Sequence, residues 1–290
     1  MQRFICAIAL SSAGLLFWGG LLNKLYVNYL LDSICSKAEL NTLIFGDSHG
    51  EQIKFSESLN FSSSGDPVRF QHQCFKTVHA KFDGLDRVII SAGPHDFSAY
   101  KEERLRDRNS NWLHGNSKRI YAFWNKREDA TLAIALAYIQ GAMSFFTLSD
   151  LTSKRMWGVQ SDLSENRVKE TINRHGVGEI NWFDKNNISI FEDFVKSIKE
   201  NGIGEVWVVG TPLHPEYRKR IWKSGWVEYK KSLELLSHSH SIHYLSLETS
   251  VLPDSYYKDS DHLNDNGQSW LADTLNVVIN EALASQQRAR

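Results

Sequence analysis

One serine, one histidine and one aspartate in this chain have the types and spacing needed for nucleophilic chemistry. Ser48 closes a Gly-Asp-Ser segment that directly follows the apolar run at 40–45. More than 200 residues later, Asp259 and His262 are separated by two residues ahead of a helical pattern. A serine hydroxyl becomes a nucleophile when a histidine takes its proton, and that histidine needs an acid to orient it. The sequence therefore predicts Ser48 as nucleophile, His262 as general base and Asp259 as the orienting acid.

Each motif also has a simpler interpretation. Serine is a common residue at the start of a helix, and Gly-Asp-Ser is a common turn sequence. An isolated Asp-x-x-His is equally compatible with a solvated helix entry. Asp261, inside the same segment, is a possible rival of Asp259 as the acid. The two motifs are informative together, because one supplies a nucleophile and the other supplies a base and an acid.

The elements that must position these residues alternate between strand-like and helix-like segments. Apolar runs predict strands at 40–45, 88–91, 205–210 and 242–247. Helices are expected directly after the GDSHG segment, at 69–82, at 188–201, from 215 to about 237 and at 267–284. Continuous apolar strands alternating with helices indicate a parallel sheet with helices on both faces. Sites in such sheets form at the carboxyl ends of the strands. Three strand ends here carry polar segments, GDSHG, SAGPHD and GTPLHP.

This set of segments resembles the SGNH (GDSL-like) hydrolase superfamily over about residues 40–285. The first block of that family is similar to Gly46-Asp47-Ser48, the glycine of the second to Gly65, the third to Gly93-Pro94-His95-Asp96, and the last to Asp259 and His262. The resemblance implies an α/β fold, a three-layer α/β/α sandwich with a parallel, flavodoxin-like sheet. It also implies acyl-ester chemistry that needs no cofactor and no metal.

The resemblance also implies roles for the oxyanion donors. The backbone N–H groups of Ser48 and Gly65 would bind the oxyanion of the tetrahedral intermediate. The family places an asparagine as a third donor where this chain has His95. A neutral imidazole can donate one N–H, so His95 is the expected third donor. Each such donor contributes roughly 100–1000-fold to the rate.

The Gly-Asp-Ser-His and Asp-x-Asp-His-Leu-Asn segments are similar to those of cell-envelope proteins that add or remove O-acyl groups on polysaccharides. The likeness implies an acylated glycan as substrate and a membrane-bound acyltransferase as partner. Asp47 and His49 are candidate substrate contacts beside Ser48, and His214 and Arg218 are candidate acceptor contacts. Helix capping is the alternative role for His214, and surface solvation the alternative for Arg218.

The N-terminal segment predicts a membrane anchor. Residues 4–22 contain no charged residue, and about 20 apolar residues span a bilayer as a helix. With no small-x-small cleavage site at its end, the run favours an uncleaved anchor over a signal peptide. We therefore expect an anchor and linker at 1–35 and a catalytic domain at 36–290. The predicted location is the inner membrane, single-pass, with the domain facing the periplasm.

The region 98–187 is predicted to be a helical, Trp-rich insertion. Trp112, Trp124, Trp157 and Trp182 are candidates for an acceptor-binding platform. Residues 130–146 carry no charge and are rich in alanine, which predicts a helix that is either buried or lies on a membrane or partner.

Composition excludes several classes of protein. The 290 residues have a formal net charge of −1 with scattered Lys and Arg, which argues against a nucleic-acid surface. No two of the three cysteines form a CxxC pair, so a zinc site is not predicted. Cys35 and Cys74 would either form a disulfide or remain buried thiols, and Cys6 lies in the N-terminal apolar run.

Three functions fit these patterns. The first is a membrane-anchored serine acyl-ester enzyme that acts on O-acyl, chiefly O-acetyl, groups of cell-surface polysaccharide by transfer or hydrolysis. The second is a catalytically idle SGNH-like module that binds a glycan or an acyltransferase; His95 and the segment 130–146 favour it. The third is a lipid esterase or thioesterase at a membrane surface.

Overall fold

The computed structural model describes residues 2–36, 40–101, 103, 118–123, 139, 141–153, 158 and 160–289. These residues form a sheet of five strands that are all parallel. The strands are β1 (Thr42–Phe45), β2 (Ser58–Asn60), β3 (Arg87–Ser91), β4 (Glu205–Gly210) and β5 (His243–Ser246). Their order is β2-β1-β3-β4-β5, the flavodoxin-like order. The predicted parallel α/β class is confirmed.

The helices follow the predicted pattern with shifted ends. They are α1 (Gln2–Cys35), α2 (Val68–Val78), α3 (Leu148–Leu151), α4 (Glu165–His175), α5 (Lys185–Glu200), α6 (Pro215–Arg218), α7 (Lys223–His240) and α8 (Asp265–Ala289). Residues 118–123 are also helical. Short 3-10 turns at Gly50–Gln52, His79–Lys81, Pro94–Phe97 and Asp254–Tyr256 connect them.

The sheet separates two hydrophobic cores because successive side chains of a strand point to opposite faces. Leu43 and Val88, which are register partners, belong to the core that includes α2, α5 and α7. Ile44 and Ile89, the next pair, belong to the core that includes Leu271 and the rest of the apolar face of α8. Apolar side chains covered on both faces explain the continuous apolar runs of the strands, and the arrangement is compatible with a three-layer sandwich.

The second half of α1 packs against the domain. Val27 and Leu31, four residues apart on one helix face, are fully buried. The Asn23 side chain donates to the Ala142 carbonyl at 2.5 Å, and the Lys24 ammonium donates to the Ala122 carbonyl at 3.0 Å. The second half of α1 therefore contacts residues beyond position 35, and the predicted boundary at that residue stays a prediction.

None of the helices that the structure describes is long and apolar enough to cross a membrane. The prediction of a transmembrane helix concerned residues 4–22. The side chains of residues 2–13, 15 and 16, which make up most of that run, lie outside the described part.

Much of the predicted insertion also lies outside the described residues, including Trp112, Trp124, Trp157 and most of the segment 130–146. Trp182 is described and is 4 % exposed. Its indole N–H donates to the Trp222 carbonyl at 3.2 Å. Trp182 is therefore a core residue, which corrects its assignment to an exposed acceptor platform. Cys35 and Cys74 are free thiols.

The carboxyl ends of β1 and β3 lie side by side at the point where the strand order reverses, which is where ligands bind in open parallel sheets. Gly46 begins the loop that leaves β1. A Cβ atom at this position would lie 2.7 Å from the Ser91 Cβ and 2.9 Å from the Gly50 Cα. Only glycine lets the β1 loop pack this closely against the end of β3.

We expect Gly46→Ala to destabilise the protein by about 1–3 kcal/mol, since the methyl group forces the two loops apart. Gly204→Ala is the matched control, because a Cβ there meets no atom within 4 Å. Thermal unfolding of both variants measures the difference. A Gly46→Ala protein as stable as Gly204→Ala would show that the loops yield without cost.

Candidate active site

Ser48, His262 and Asp259 form a continuous hydrogen-bonded chain. The Ser48 Oγ lies 2.8 Å from the His262 Nε2. On the other side of the ring, the His262 Nδ1 lies 2.8 Å from one carboxylate oxygen of Asp259 and 3.1 Å from the other. The structure thus brings together all three residues that the sequence predicts as a triad. Ser48 is half-buried and the other two side chains are nearly buried.

The nucleophile lies in a turn rather than at the start of a regular helix. Only the short 3-10 turn Gly50–Gln52 follows Ser48, which corrects the expected helix. The fully buried Gln52 fixes this turn by donating to the Ser48 carbonyl at 3.0 Å and accepting the Leu263 N–H at 2.8 Å. One side chain therefore connects the serine loop to the histidine loop.

The loop that carries Asp259 and His262 is a closed turn. The Asp259 carboxylate accepts the backbone N–H of His262 at 2.9 Å, and the Lys258 N–H donates to the His262 carbonyl at 2.9 Å. The Asn264 side chain then accepts the N–H groups of Asn266 and Gly267, at 3.0 and 3.2 Å, which caps α8. The Asp-x-x-His spacing is what lets one carboxylate hold both the backbone and the ring of the histidine.

The electrostatic surroundings of His262 favour its protonated form. Burial by itself lowers the pKa of the imidazole, but the carboxylates of Asp261 and Asp259 outweigh that effect and raise the pKa to about 9. The ring of the fully buried His49 lies 4.9 Å away, centroid to centroid. The free protein at neutral pH therefore holds His262 mainly as imidazolium.

Asp47 is the centre of a buried ion network beside the triad. Its carboxylate accepts the His49 N–H at 2.8 Å and pairs with the Lys101 ammonium at 2.5 Å and the His95 Nε2 at 2.7 Å. Lys101 also bonds the carboxylate of Asp96. Burial tends to raise the pKa of Asp47, but Lys101 and His95 hold it well below its usual range.

Asp47 and His49 both have buried partners within the protein, and substrate binding by either side chain stays a prediction. Asp47 is 1 % exposed and His49 is fully buried, with its Nδ1 2.7 Å from the Thr211 hydroxyl. His95, the expected third oxyanion donor, is 1 % exposed and stacks between His49 and His175, with centroids 4.6 and 4.7 Å away. Its role as an oxyanion donor stays a prediction.

Gly65, the other predicted oxyanion donor, lies in a turn with φ of +84°, a conformation that favours glycine. Glu51, in the turn after Ser48, accepts the neighbouring Ser64 N–H at 2.7 Å and its hydroxyl at 3.1 Å. Glu51 therefore holds the Gly65 turn against the serine loop. The participation of the Gly65 N–H in an oxyanion hole stays a prediction.

The predicted acceptor residues lie on α6 and its start. The His214 Nδ1 accepts the Glu216 N–H at 3.2 Å and caps the helix, as its alternative role required. The His214 N–H also donates to the Ser260 carbonyl at 3.0 Å, which joins this segment to the triad loop. Arg218 is half-buried. Acceptor binding by either side chain stays a prediction.

An open polar cleft of about 780 Å³ lies beside Asp259. We call it the polar cleft, and the side chains that line it include Gln160, Ser161, Ser164, Asn166, Arg167 and Asp259. Four of the lining residues carry uncharged hydrogen-bonding groups and five are charged, the latter being Asp162, Arg167, Glu170, Lys258 and Asp259. Groups of both kinds can pair with hydroxyl-bearing ligands.

Two trios of side chains bring potential metal-ligand atoms within 4.8 Å of one another, namely Asp47, His49 and His95, and His49, Asp261 and His262. In the first, the Lys101 ammonium already neutralises Asp47. In the second, the His262 Nδ1 is bonded to Asp259. We assign neither trio as a set of metal ligands.

Sequence patterns do not reveal four members of the site: Gln52, Lys101, His175 and Tyr217. Gln52 and Tyr217 lie beside residues that the motifs single out, and Lys101 and His175 lie in stretches of ordinary helical composition. Their one shared signal is a polar side chain that is nearly or fully buried, which becomes visible only in the fold.

Comparison with known proteins adds no assignment to this geometry: no protein-family model matches the chain, and no curated protein matches it.

We expect Lys101→Met to destabilise the protein by about 3–5 kcal/mol at pH 7, because it leaves two buried carboxylates without their cation. The pKa of Asp47 rises when Lys101 is absent, so the deficit relative to wild type shrinks as the pH falls toward about 4. Chemical denaturation at several pH values measures this.

Lys81→Met is the matched control, because the Lys81–Asp32 pair is 24 % and 63 % exposed. That change should cost less than about 1 kcal/mol. Equal losses in the two variants would contradict a special role for the buried network.

Proposed function

We propose that this protein is a serine acyl-ester enzyme of the SGNH type, acting on O-acyl groups of cell-surface polysaccharide. The observation that carries the proposal is the chain from the Ser48 Oγ through His262 to Asp259, with links of 2.8 Å on both sides of the ring. A binding module has no need for this alignment of nucleophile, base and acid. The resemblance of the surrounding segments to envelope O-acyl proteins supports the substrate class and a location facing the periplasm.

The reaction follows from the positions of the three groups. In the enzyme with neutral His262, the Ser48 Oγ attacks the acyl carbon while its proton passes to the Nε2. The tetrahedral intermediate collapses as the imidazolium returns that proton to the leaving sugar oxygen, which gives acyl-Ser48 and an alcohol. Water or an acceptor hydroxyl then attacks the acyl group and gives its proton to His262. The bond between the acyl carbon and the Ser48 Oγ breaks as the imidazolium returns the proton to that oxygen, which releases the acid or the new ester and restores the serine. Asp259 holds the ring and stabilises the imidazolium throughout.

The polar cleft supports a hydroxyl-rich substrate. It adjoins the acid of the triad, and its walls offer amide, hydroxyl and guanidinium groups at Gln160, Ser161, Ser164, Asn166 and Arg167. Sugars bind through dense hydrogen bonds of this kind, whereas lipid chains need an apolar wall. The hydrogen-bonding side chains of the cleft support a glycan as the substrate. Transfer and hydrolysis share acyl-Ser48 and differ in the nucleophile that reaches it.

We expect the wild-type protein to hydrolyse nitrophenyl acetate and to form a covalent acetyl adduct, and Ser48→Ala to do neither. Ser269→Ala, on the exposed part of α8, is the matched control and should behave as wild type. Release of nitrophenol and the mass of the intact protein measure turnover and the adduct.

A folded wild type that shows neither turnover nor a serine-specific adduct with a fluorophosphonate would overturn the proposal. The idle binding module would then be the better interpretation.

Asn166→Ala is expected to raise the KM for an acetylated oligosaccharide by roughly 3–10-fold, the size of one lost hydrogen bond. The KM for nitrophenyl acetate should stay unchanged, because that ester is too small to use the cleft. Steady-state kinetics with both esters distinguish the two effects. Asn280→Ala, on the exposed surface of α8, is the control, and equal KM values for the two variants would exclude the polar cleft as the glycan site.

A further inference from the structure

Asp261 lies directly beneath the triad, although it is not part of the Asp-x-x-His pair. It is 1 % exposed, and neither of its carboxylate oxygens has a hydrogen-bond partner within normal distance among the described residues. Three imidazoles surround it instead. One oxygen lies 3.6 Å from the His49 Nε2 and 3.9 Å from the His175 Nε2, and the other lies 3.6 Å from the His262 Nδ1.

Two of these rings are arranged to direct an N–H toward Asp261. Burial and the neighbouring His95 lower the pKa of His49 and of His175, so both rings are neutral and carry one proton each. The His175 Nδ1 lies 2.8 Å from the hydroxyl of Tyr217, whose pKa is raised by burial, so the phenol keeps its proton and donates it. The proton of His175 is therefore on the Nε2, which faces Asp261.

The same reasoning applies to His49. Its Nδ1 lies 2.7 Å from the Thr211 hydroxyl, a group that can donate to it. The proton of His49 then lies on the Nε2, 3.6 Å from Asp261. Two neutral N–H groups thus face the carboxylate, while the third ring, His262, is the one that gains a proton during the proposed reaction.

We propose that Asp261 is a second acid of the site, a positioning residue whose carboxylate stabilises the His262 imidazolium by its charge, 3.6 Å from the Nδ1, while Asp259 hydrogen-bonds the same nitrogen. This inference rests on the proposed serine chemistry. Burial tends to raise the pKa of Asp261, but the positive charge of His262 and the facing His49 hold it well below its usual range. An ionised carboxylate without a full hydrogen bond is stabilised chiefly by the charge of its neighbour, so Asp261 and His262 depend on each other.

The charged and titratable groups that face Asp261 and His262 come from four other elements and from the loop that carries the pair itself. They are Asp47 and His49 after β1, His95 after β3, Arg174 and His175 of α4, Tyr217 of α6, and Asp259 in the same loop. Lys101 pairs with Asp47 and Asp96. The positive charge that stabilises Asp261 is therefore that of His262.

The test is the titration of His262, read from histidine NMR and assigned by the loss of its signal in His262→Gln. In Asp261→Asn we expect His262 to titrate about 1–3 pH units lower than in wild type, because an adjacent opposite charge shifts an ionisation by that amount. The acid limb of the pH profile of kcat/KM should shift to lower pH by the same amount. The rate above pH 9 should fall, because the imidazolium formed in the reaction no longer has the Asp261 carboxylate beside it. Asp273→Asn, the same change on the exposed face of α8, should shift neither.

Unchanged titration in a folded Asp261→Asn protein would overturn the inference. If that variant does not fold, the wild type decides the question, since a His262 that titrates near 6.5 has no second acid. The NMR titration can also be recorded in Ser48→Ala, where no turnover is expected. A wild-type protein with a high His262 titration but no esterase activity would reject the proposed function and keep the role of Asp261. An active wild type with an ordinary His262 titration would overturn the role of Asp261 and keep the proposed function.

Discussion

The site depends on the neutralisation of buried carboxylates near the carboxyl ends of the strands. Asp47, Asp96 and Asp261 are each no more than 3 % exposed, at the edge of a sheet whose strands supply almost only apolar side chains. A buried carboxylate without a cation or donors costs several kcal/mol. Lys101 compensates the first two and His262 compensates the third. His262, the proposed base, thus also stabilises a buried carboxylate, so the geometry of the candidate site and the local stability are not separable here.

The sheet and the triad could be predicted because both leave local signals. The apolar run at 205–210 coincides with β4, since a strand covered on both faces must be apolar throughout. Ser48, Asp259 and His262 stand in short motifs at strand or helix ends, so their proximity could be predicted from their positions in the chain. Even so, the sequence predicts a helix after Ser48 where the structure has a 3-10 turn, because the close contact of Gly46 with the β3 loop depends on tertiary packing.

The supporting residues could not be predicted, for a physical reason. Lys101 lies in a charged stretch and His175 at the end of an amphipathic helix, and both read as solvated surface. Their function arises from burial, which depends on elements far away in the chain. Trp182 shows the opposite error, since its aromatic character suggested a sugar platform while the fold buries it against α7. Residue type predicts chemistry well where a motif fixes the backbone, and poorly where tertiary contacts decide exposure.

The link from Gln52 to Leu263 spans 211 positions, and that from Ser48 to His262 spans 214. At ribosomal rates of about 5–20 residues per second, the base leaves the ribosome roughly 10–40 s after the nucleophile. The β1, β2 and β3 segments can pair in that interval, but Ser48 remains an ordinary hydroxyl until α8 docks. Contacts this distant in sequence also form slowly during folding. In that interval Lys101 can already pair with Asp47 and Asp96, so a partner that binds the incomplete sheet meets neutralised carboxylates rather than a completed Ser48–His262 pair.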